Sequence, residues 1–191
     1  MILVRHTTES LLAMKLRHHT KNDSRAIVQL FESVFANSEG ESEGTLIGRL
    51  AIDLFEKTDE CDLLNFVAEI DGQIIGSIFF SRLRFVDCIQ AFLLAPVAVH
   101  SDHQRKGVGQ ALIRHGLNAL RDEGASVALT YGDPEFYSKV GFRAISHETV
   151  MAPFELSQPE GWLGQSLVGN SIETLSGECT CVEAFREPAY W

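Results

Sequence analysis

The sequence predicts an α/β (α+β) fold in which helices pack against a mixed sheet. Three observations indicate this: apolar residues at helical spacing before residue 57, a hairpin signal at Asp71-Gly72, and a strand–helix–strand succession over 91–130. That succession predicts a right-handed crossover between two parallel strands. Hydrophobic residues make up 45% of the 191 residues, which is enough for a substantial core.

The chain divides into three predicted segments. Residues 1–13 are expected to be an N-terminal extension, because "MKLRHHTKNDSRAIVQL" from Met14 resembles a complete protein start with a short strand and then a helix. A genuine extension and a misassigned start codon both stay open. Residues 14–145 form the predicted core. Residues 146–191 form a C-terminal extension that we expect to pack on this core.

Two helices are predicted before the hairpin. Asp23 or Ser24 is a suitable N-cap for a helix over 24–36, where apolar residues recur every three or four positions. The polar, glycine-bearing stretch 37–44 is predicted to be a loop. A second amphipathic helix is expected over 45–57.

The sheet predictions begin with the hairpin. Leu63 to Ile70 and Gln73 to Leu83 are β-rich runs joined by Asp71-Gly72, the strongest short hairpin turn. A third apolar run at 91–99 contains Pro96, which cannot donate to a strand ladder. This proline predicts a bulge or a place where the strand separates from its neighbour.

The stretch "HQRKGVGQALIRHG", residues 103–116, opens a predicted helix over 107–122. A buried strand is expected at 126–130, and a short aromatic helix within "YGDPEFYSKVGF" at 131–142. Mixed segments over 143–155 and 165–185 flank a predicted loop, "SQPEGW".

The start of the 107–122 helix has the features of a diphosphate site. The first four N–H groups of a helix have no partner inside it and lie at the positive end of its dipole. Gly107 and Gly109 have no Cβ, so phosphate oxygens can approach the main chain. Arg105 and Lys106 add positive charge, and Gln104 can orient the turn or donate an amide N–H.

Three diphosphate sites compete for this stretch. A P-loop requires G-x-x-x-x-G-K-[ST], which the chain lacks. A Rossmann site requires a third glycine where Leu112 stands and a strand directly before the motif. The third alternative is a site for coenzyme A.

The segment "LLAPVAVHSDHQRKGVGQALI" resembles the central motif of the GNAT superfamily of N-acetyltransferases, a strand followed by Q/R-x-x-G-x-G/A at a helix start. A second family signature is a tyrosine four residues before Gly-Phe, and here Tyr137 precedes Gly141-Phe142. The hairpin resembles the family's second and third strands. The resemblance covers about 15–145, and the tail is similar to an uncharacterised acetyltransferase branch.

The resemblance implies a mixed, mostly antiparallel twisted sheet with helices on both faces and a splayed central parallel strand pair. It implies acetyl-CoA (coenzyme A) as the cosubstrate of the 14–145 acetyltransferase core. Main-chain groups of the 97–99 stretch would bind the pantetheine arm. The implied cofactor-binding residues are Val97, Ala98, Val99, Gln104, Arg105, Lys106, Gly107, Val108, Gly109 and Tyr137.

Tyr137 is also the implied catalytic residue, a general acid that protonates the departing CoA thiolate. A phenol with a reference pKa near 10 can donate to a thiolate whose thiol has a pKa near 8.5. The implied reaction is acetyl transfer to a primary amine by direct attack in a ternary complex. No cysteine falls in the cofactor motifs, which disfavours an acyl-enzyme route.

The general base stays open. The strand at 91–99 holds no carboxylate, so Glu69, Glu41, Glu43 and His100 are candidates beside a water relay. The missing base also leaves an alternative of another class, a non-catalytic acyl-CoA-binding sensor or partner module.

Composition limits the partners. A net charge of −10 argues against nucleic acid and mildly favours a cationic acceptor, either a small-molecule amine or a protein amine. No apolar stretch is long enough for a membrane helix and no signal peptide is visible, so we expect a cytoplasmic protein. A monomer and a homodimer both stay open.

The cysteines and histidines do not indicate a metal site. The four cysteines, of which only Cys179 and Cys181 are close in sequence, lack zinc-ligand spacing and are expected to be reduced thiols. The adjacent His18 and His19 point apart on a strand, and His115 lies on a helix. No metal ligands are therefore assigned.

Overall fold

The computed structural model describes residues 14–87, 89–175 and 177–191. Within these ranges seven strands form one sheet in the order β1-β2-β3-β4-β5-β7-β6, accompanied by four α-helices and several short 3₁₀ turns. The predicted extension over 1–13 and Cys88 lie outside the described residues. The strands are β1 (Lys15–His18), β2 (Leu63–Ile70), β3 (Gln73–Leu83), β4 (Ala91–Val99), β5 (Val127–Tyr131), β6 (Arg143–Ala144) and β7 (Trp162–Ser166). The helices are α1 (Ser24–Glu39), α2 (Glu41–Lys57), α3 (Val108–Asp122) and α4 (Pro134–Tyr137).

The predicted fold class is confirmed. Among the described strands the sheet is mostly antiparallel, with one parallel pair between β4 and β5. The bounds of β2, β3 and β4 coincide with the predicted runs. None of the described helices combines the length and apolar character that a bilayer crossing requires.

The chain forms two compact units. The first contains residues 14–56, 65–79 and 96–115, and the second contains 57–64, 80–95 and 116–191, within the described ranges. Each unit is described in turn.

In the first unit, α1 and α2 correct the predicted loop over 37–44. The first helix extends to Glu39 and the second begins at Glu41, so Gly40 alone separates them. Gly40 has φ 106° and donates its N–H to the Ala36 carbonyl at 3.1 Å. A single glycine with positive φ is enough to end a helix, and the polar residues around it remain helical.

The hairpin of the first unit forms as predicted. Asp71 and Gly72 both have positive φ, 51° and 78°, as a type I′ turn requires. The core beside it is aromatic: the Phe79 ring lies 5.5 Å from that of Phe31 and 5.0 Å from that of Phe55.

An ion network joins β1 to β2 in the same unit. Arg17 Nη2 lies 2.6 Å from Glu69 Oε2, and Arg17 Nη1 lies 2.7 Å from Asp23 Oδ2. Asp23 stands at the N-cap of α1, but its carboxylate accepts from Arg17 and from the Thr20 N–H and makes no cap hydrogen bond.

The second unit contains the parallel pair. Its register runs from Ala91 opposite Val127 to Leu93 opposite Leu129. At the next position the Thr130 hydroxyl donates to the Leu94 carbonyl oxygen at 2.8 Å. The strand pairing is thus followed by a side-chain hydrogen bond.

The tail contributes a strand to the sheet of the second unit. Strand β7 pairs antiparallel with β5 and with β6, so the prediction of a loop through Trp162 is wrong at that residue. Trp162 is 1% exposed, and its indole donates to the Val150 carbonyl at 2.9 Å. Trp191 is also buried and donates to the Phe185 carbonyl.

The cysteines that the structure describes form no disulfide. Cys61 is exposed, whereas Cys179 and Cys181 are buried. Burial raises the pKa of the Cys179 thiol to about 12. None of these three side chains forms a cross-link. Cys61 is a solvent-exposed thiol, and burial keeps the thiols of Cys179 and Cys181 protonated and unreactive.

Candidate functional site

The predicted diphosphate turn follows directly from the end of β4 in the first unit. A 3₁₀ turn over Ser101–His103 comes first, and the His100 imidazole accepts a hydrogen bond from the Asp102 N–H. The Gln104 side chain then donates from Nε2 to the Val99 carbonyl oxygen at 2.9 Å. This bond links the Gln104 side chain to the last residue of β4.

The turn itself contains two left-handed residues. Arg105 has φ 59° and Gly107 has φ 84°. Positive φ is uncommon for a residue with a Cβ, and such conformations concentrate at functional sites. Alternation of left- and right-handed residues turns successive N–H groups toward one side, where they form an anion-binding concavity.

The turn is open on the side where a ligand would approach. A Cβ built on Gly107 meets no atom within 4 Å. Arg105, Lys106 and Gly107 are exposed, whereas Val108 and Gly109 are buried at the helix start. No side chain therefore blocks Gly107, and two cations border it.

Close packing fixes where α3 begins. A Cβ on Gly76 of β3 would lie 3.4 Å from the Ala98 carbonyl oxygen and 3.5 Å from side-chain atoms of Val108 and Leu112. The His100 N–H also donates to the Ile75 carbonyl at 2.8 Å. These contacts hold the helix start and the end of β4 against β3.

The residues predicted to bind pantetheine lie at the end of β4. Ala98 is buried, and Val97 and Val99 are half-buried. The Val99 carbonyl already accepts from Gln104, so it is less available to a ligand than the remaining main-chain groups. The structure brings the predicted residues from Val97 to Gly109 together in the first unit.

Tyr137 lies in the second unit, at the end of α4. Asp133 caps this helix by accepting from the Glu135 N–H at 2.8 Å, and Pro134 occupies its first turn. The Tyr137 side chain is 9% exposed, with the rings of Phe136 and Phe142 at 5.0 and 5.7 Å. Burial raises the pKa of the Tyr137 phenol, which is therefore protonated at neutral pH.

The sequence did not indicate that Gly132 packs against Tyr137. A Cβ on Gly132 would lie 2.8 Å from Tyr137 Cε2. The one available signal in the sequence is the position of Gly132 between a strand and Asp-Pro.

The candidate bases do not share a common site. Glu69 is paired with Arg17, and Glu41 and Glu43 lie in the first turn of α2. The His100 imidazole is exposed and already accepts a main-chain N–H. The geometry assigns none of these side chains the role of general base.

Comparison with known proteins decides the family. The chain is 30% identical over 140 residues to the uncharacterised N-acetyltransferase YjhQ of Escherichia coli K12, covering 70% of this chain and 77% of that protein. Residues 62–144 match the family model described as "Acetyltransferase (GNAT) domain". The chain belongs to the GNAT N-acetyltransferase family. The predictions of family and enzyme class are confirmed.

Solved GNAT structures resemble about nine-tenths of the chain. The Escherichia coli YhbS structure in complex with CoA has a TM-score of 0.75 and 25% identity, over 92% of this chain and 93% of that one. A Brucella melitensis GNAT acetyltransferase in complex with acetyl-CoA has a TM-score of 0.68 and 27% identity, over 90% and 97%. The predicted cosubstrate is thereby confirmed at the level of the family.

Proposed function

We propose that this GNAT enzyme transfers the acetyl group of acetyl-CoA to a primary amine by direct attack in a ternary complex. The observation that supports it most is the turn from Gln104 to Gly109, which combines two left-handed residues, bordering cations and an open side at a helix start. Such a turn suits a diphosphate. The complexes of related GNAT proteins with CoA or acetyl-CoA agree with this assignment.

The geometry of the first unit supports each of the proposed contacts. Main-chain N–H groups of Gly107, Val108 and Gly109 would bind the diphosphate oxygens. Arg105 and Lys106 would add charge from the exposed side of the turn. Gln104 would hold the turn on β4, where main-chain groups of Val97, Ala98 and Val99 would receive the pantetheine arm in the manner of an added strand.

Acetyl-CoA supplies an activated acyl thioester. In our proposal the acceptor nitrogen forms a bond to the acyl carbon while the carbon–sulfur bond breaks. Tyr137 donates its phenolic proton to the departing thiolate, and the acceptor nitrogen loses a proton to water. The phenol suits this role because its raised pKa keeps it protonated.

The acceptor is proposed to be cationic, since the net charge of −10 favours approach of a positively charged amine. Small polyamines, amino acids, amine antibiotics and lysine-containing peptides meet this description. We also propose a cytoplasmic location and a domain organisation with a 14–145 core and a C-terminal segment over 146–191.

Thiol release tests the proposed function. The full chain is incubated with acetyl-CoA and one amine at a time: spermidine, lysine, kanamycin or a lysine-containing peptide. Free CoA thiol is measured and compared with reactions that contain no amine. We expect amine-dependent thiol release with at least one acceptor class. Binding of acetyl-CoA without thiol release for any amine would instead favour the sensor alternative.

A further inference from the structure

We propose that Thr130 is a positioning residue for the cosubstrate. Its hydroxyl binds the Leu94 carbonyl oxygen, keeps the next main-chain N–H of β5 from binding there, and so fixes where β4 and β5 part. The main chain of β4 after that point is then available to a ligand. This inference rests on the proposed function, in which residues 97–99 of β4 receive the pantetheine arm.

The parallel pairing of β4 with β5 has a repeat that specifies the next bond. The Val127 N–H donates to the Gln90 carbonyl at 3.3 Å, where the parallel register begins. Donors and acceptors that face the same neighbouring strand recur every two residues. In a ladder continued by two repeats, the Tyr131 N–H would therefore donate to the Leu94 carbonyl.

A side chain occupies that position instead. Thr130 is 0% exposed, and its hydroxyl donates to the Leu94 carbonyl oxygen at 2.8 Å. Among the described residues the register of β4 with β5 ends one residue earlier, at Leu93 opposite Leu129. A buried carbonyl needs a hydrogen-bond partner. Because the hydroxyl supplies it, the Leu94 carbonyl needs no main-chain donor.

Strand β5 continues after its pairing with β4 ends. Tyr131 lies opposite Trp162 of β7, and the Gly132 N–H donates to the Gly161 carbonyl at 3.0 Å. Successive N–H groups of a strand point to opposite sides, so the Tyr131 N–H points away from β7 and toward the side of β4. It is the donor with which the Thr130 hydroxyl competes.

Pro96 removes the bond that would follow. In a continued ladder residue 96, two residues after Leu94, would be the next donor of β4 toward β5, but proline has no N–H. Thr130 and Pro96 thus remove one acceptor and one donor in succession. The main chain of 97–99 comes next on β4, where an extended ligand can bind in the manner of an added strand.

Amide hydrogen exchange of the full chain, followed by NMR, tests the strand end without a ligand. In wild type the Tyr131 amide should exchange at least about 100-fold faster than that of Leu129, which lies within the register. In Thr130→Val the Leu94 carbonyl should bind the Tyr131 N–H, and exchange of this amide should slow at least about tenfold. Equal exchange of the two amides in wild type, or unchanged Tyr131 exchange in folded Thr130→Val, would overturn the inference.

Ligand affinity tests the positioning role. We expect calorimetry to show that Thr130→Val binds acetyl-CoA at least about tenfold more weakly, because continued pairing with β5 takes up main-chain groups of β4. Affinity for 3′-phosphoadenosine 5′-diphosphate, which has the diphosphate and lacks pantetheine, should stay within about twofold of wild type. Thr130→Ser keeps the hydroxyl and should bind acetyl-CoA within about threefold of wild type. Equal losses for the two ligands in Thr130→Val would overturn the positioning role.

Tyr131→Phe is the matched control at the same strand end. The Tyr131 hydroxyl hydrogen-bonds to Ser157 Oγ at 2.9 Å and accepts from the Gln158 N–H at 2.7 Å. The substitution removes this hydroxyl and keeps the main-chain N–H of residue 131. Exchange of that N–H and acetyl-CoA affinity should both stay at the wild-type values. An affinity loss as large as that of Thr130→Val would contradict the assignment to Thr130.

The two proposals fail in different ways. If Thr130→Val slows Tyr131 exchange but binds acetyl-CoA as wild type does, the strand end is assigned correctly and the proposed path of pantetheine along 97–99 is wrong. If wild type binds acetyl-CoA and Thr130→Val changes neither exchange nor affinity, the proposed function stands and the role of Thr130 is wrong.

Discussion

The Gln104 side chain donates a hydrogen bond from Nε2 to the Val99 carbonyl oxygen at 2.9 Å. This bond joins the turn ahead of α3 to the last residue of β4. The segment proposed to bind the diphosphate is therefore held directly on the strand proposed to bind pantetheine. A change at Gln104 should alter CoA binding without disturbing the core, since its side chain is exposed.

Gln104→Glu tests this connection. A carboxylate has no donor for the Val99 carbonyl and adds negative charge beside the proposed diphosphate. We expect calorimetry to show acetyl-CoA affinity reduced about 30-fold, since the lost hydrogen bond and the repulsive charge are each worth roughly 1 kcal/mol and together about 2 kcal/mol. Unchanged affinity in a folded variant would show that the bond does not position the turn.

Gly107→Ala tests the open side of the turn. At φ 84° a Cβ costs roughly 1–2 kcal/mol in backbone strain and projects into space that holds no other atom. We expect stability to fall by that amount and acetyl-CoA affinity to fall at least about tenfold, because the Cβ keeps phosphate oxygens from the main chain.

Gly124→Ala is the matched control for this change. Gly124 has φ 81°, and a Cβ there also meets nothing within 4 Å, but it follows the far end of α3. It should lose similar stability in urea unfolding and keep wild-type affinity. Equal losses of acetyl-CoA affinity in both variants would show that backbone strain alone causes the loss in Gly107→Ala.

Protonation of the Asp23 carboxyl should make the free energy of unfolding depend on pH in the acid range. The hydrogen bond from Arg17 lowers the pKa of this carboxyl from 3.8 to about 2, against an opposing effect of burial. A lowered folded-state pKa contributes stability above the unfolded-state pKa, and that contribution is lost as pH falls from about 4 to about 2. After a discount for partial solvent screening, the ionised Asp23 carboxyl contributes about 1–2 kcal/mol to the free energy of unfolding.

Urea unfolding between pH 2 and pH 7 measures this contribution. Asp23→Asn should be less stable than wild type at pH 7 and nearly equal to it at pH 2. A variant that keeps the full acid dependence of the wild type would show that Arg17 does not stabilise the ionised carboxyl.

Trp191 tests whether the tail is part of the fold. It is 6% exposed, donates to the Phe185 carbonyl at 2.9 Å, and lies 6.2 Å from the Trp162 ring. Trp191→Ala should cost about 3–5 kcal/mol, as truncation of a buried aromatic side chain does. The control Val168→Ala, at a side chain 77% exposed, should change stability by less than about 0.5 kcal/mol. Similar small losses in both variants would contradict an integral tail.

The sequence predicts most of the fold because its strongest signals are local. Asp71-Gly72 defines the hairpin and its flanking strands, and the apolar run at 91–99 defines β4. The prediction of a loop over 37–44 is wrong because Gly40 alone ends one helix before the next begins. Strand β7 was missed because Trp162 follows Pro-Glu-Gly, and its buried position depends on pairing with β5 and β6.

The proposed site is predictable only where it consists of main chain. Gly107 and Gly109 at a helix start are visible as a spacing in the sequence. The contact of Tyr137 with Gly132 depends on where a ring lies in three dimensions. Pairing of Glu69 with Arg17 likewise depends on strand register, which the sequence does not reveal.

The most direct test of the central claim is a titration of the ¹⁵N-labelled full chain, followed by NMR, with CoA and in parallel with pantetheine, which lacks the diphosphate. We predict that the main-chain amide signals from Arg105 to Gly109 shift with CoA and not with pantetheine. We also predict that CoA binds at least about 100-fold more tightly than pantetheine, because its phosphates make charge-assisted contacts to a helix start. Equal affinity for the two ligands, or CoA-induced shifts that leave these amides unchanged, would contradict the account.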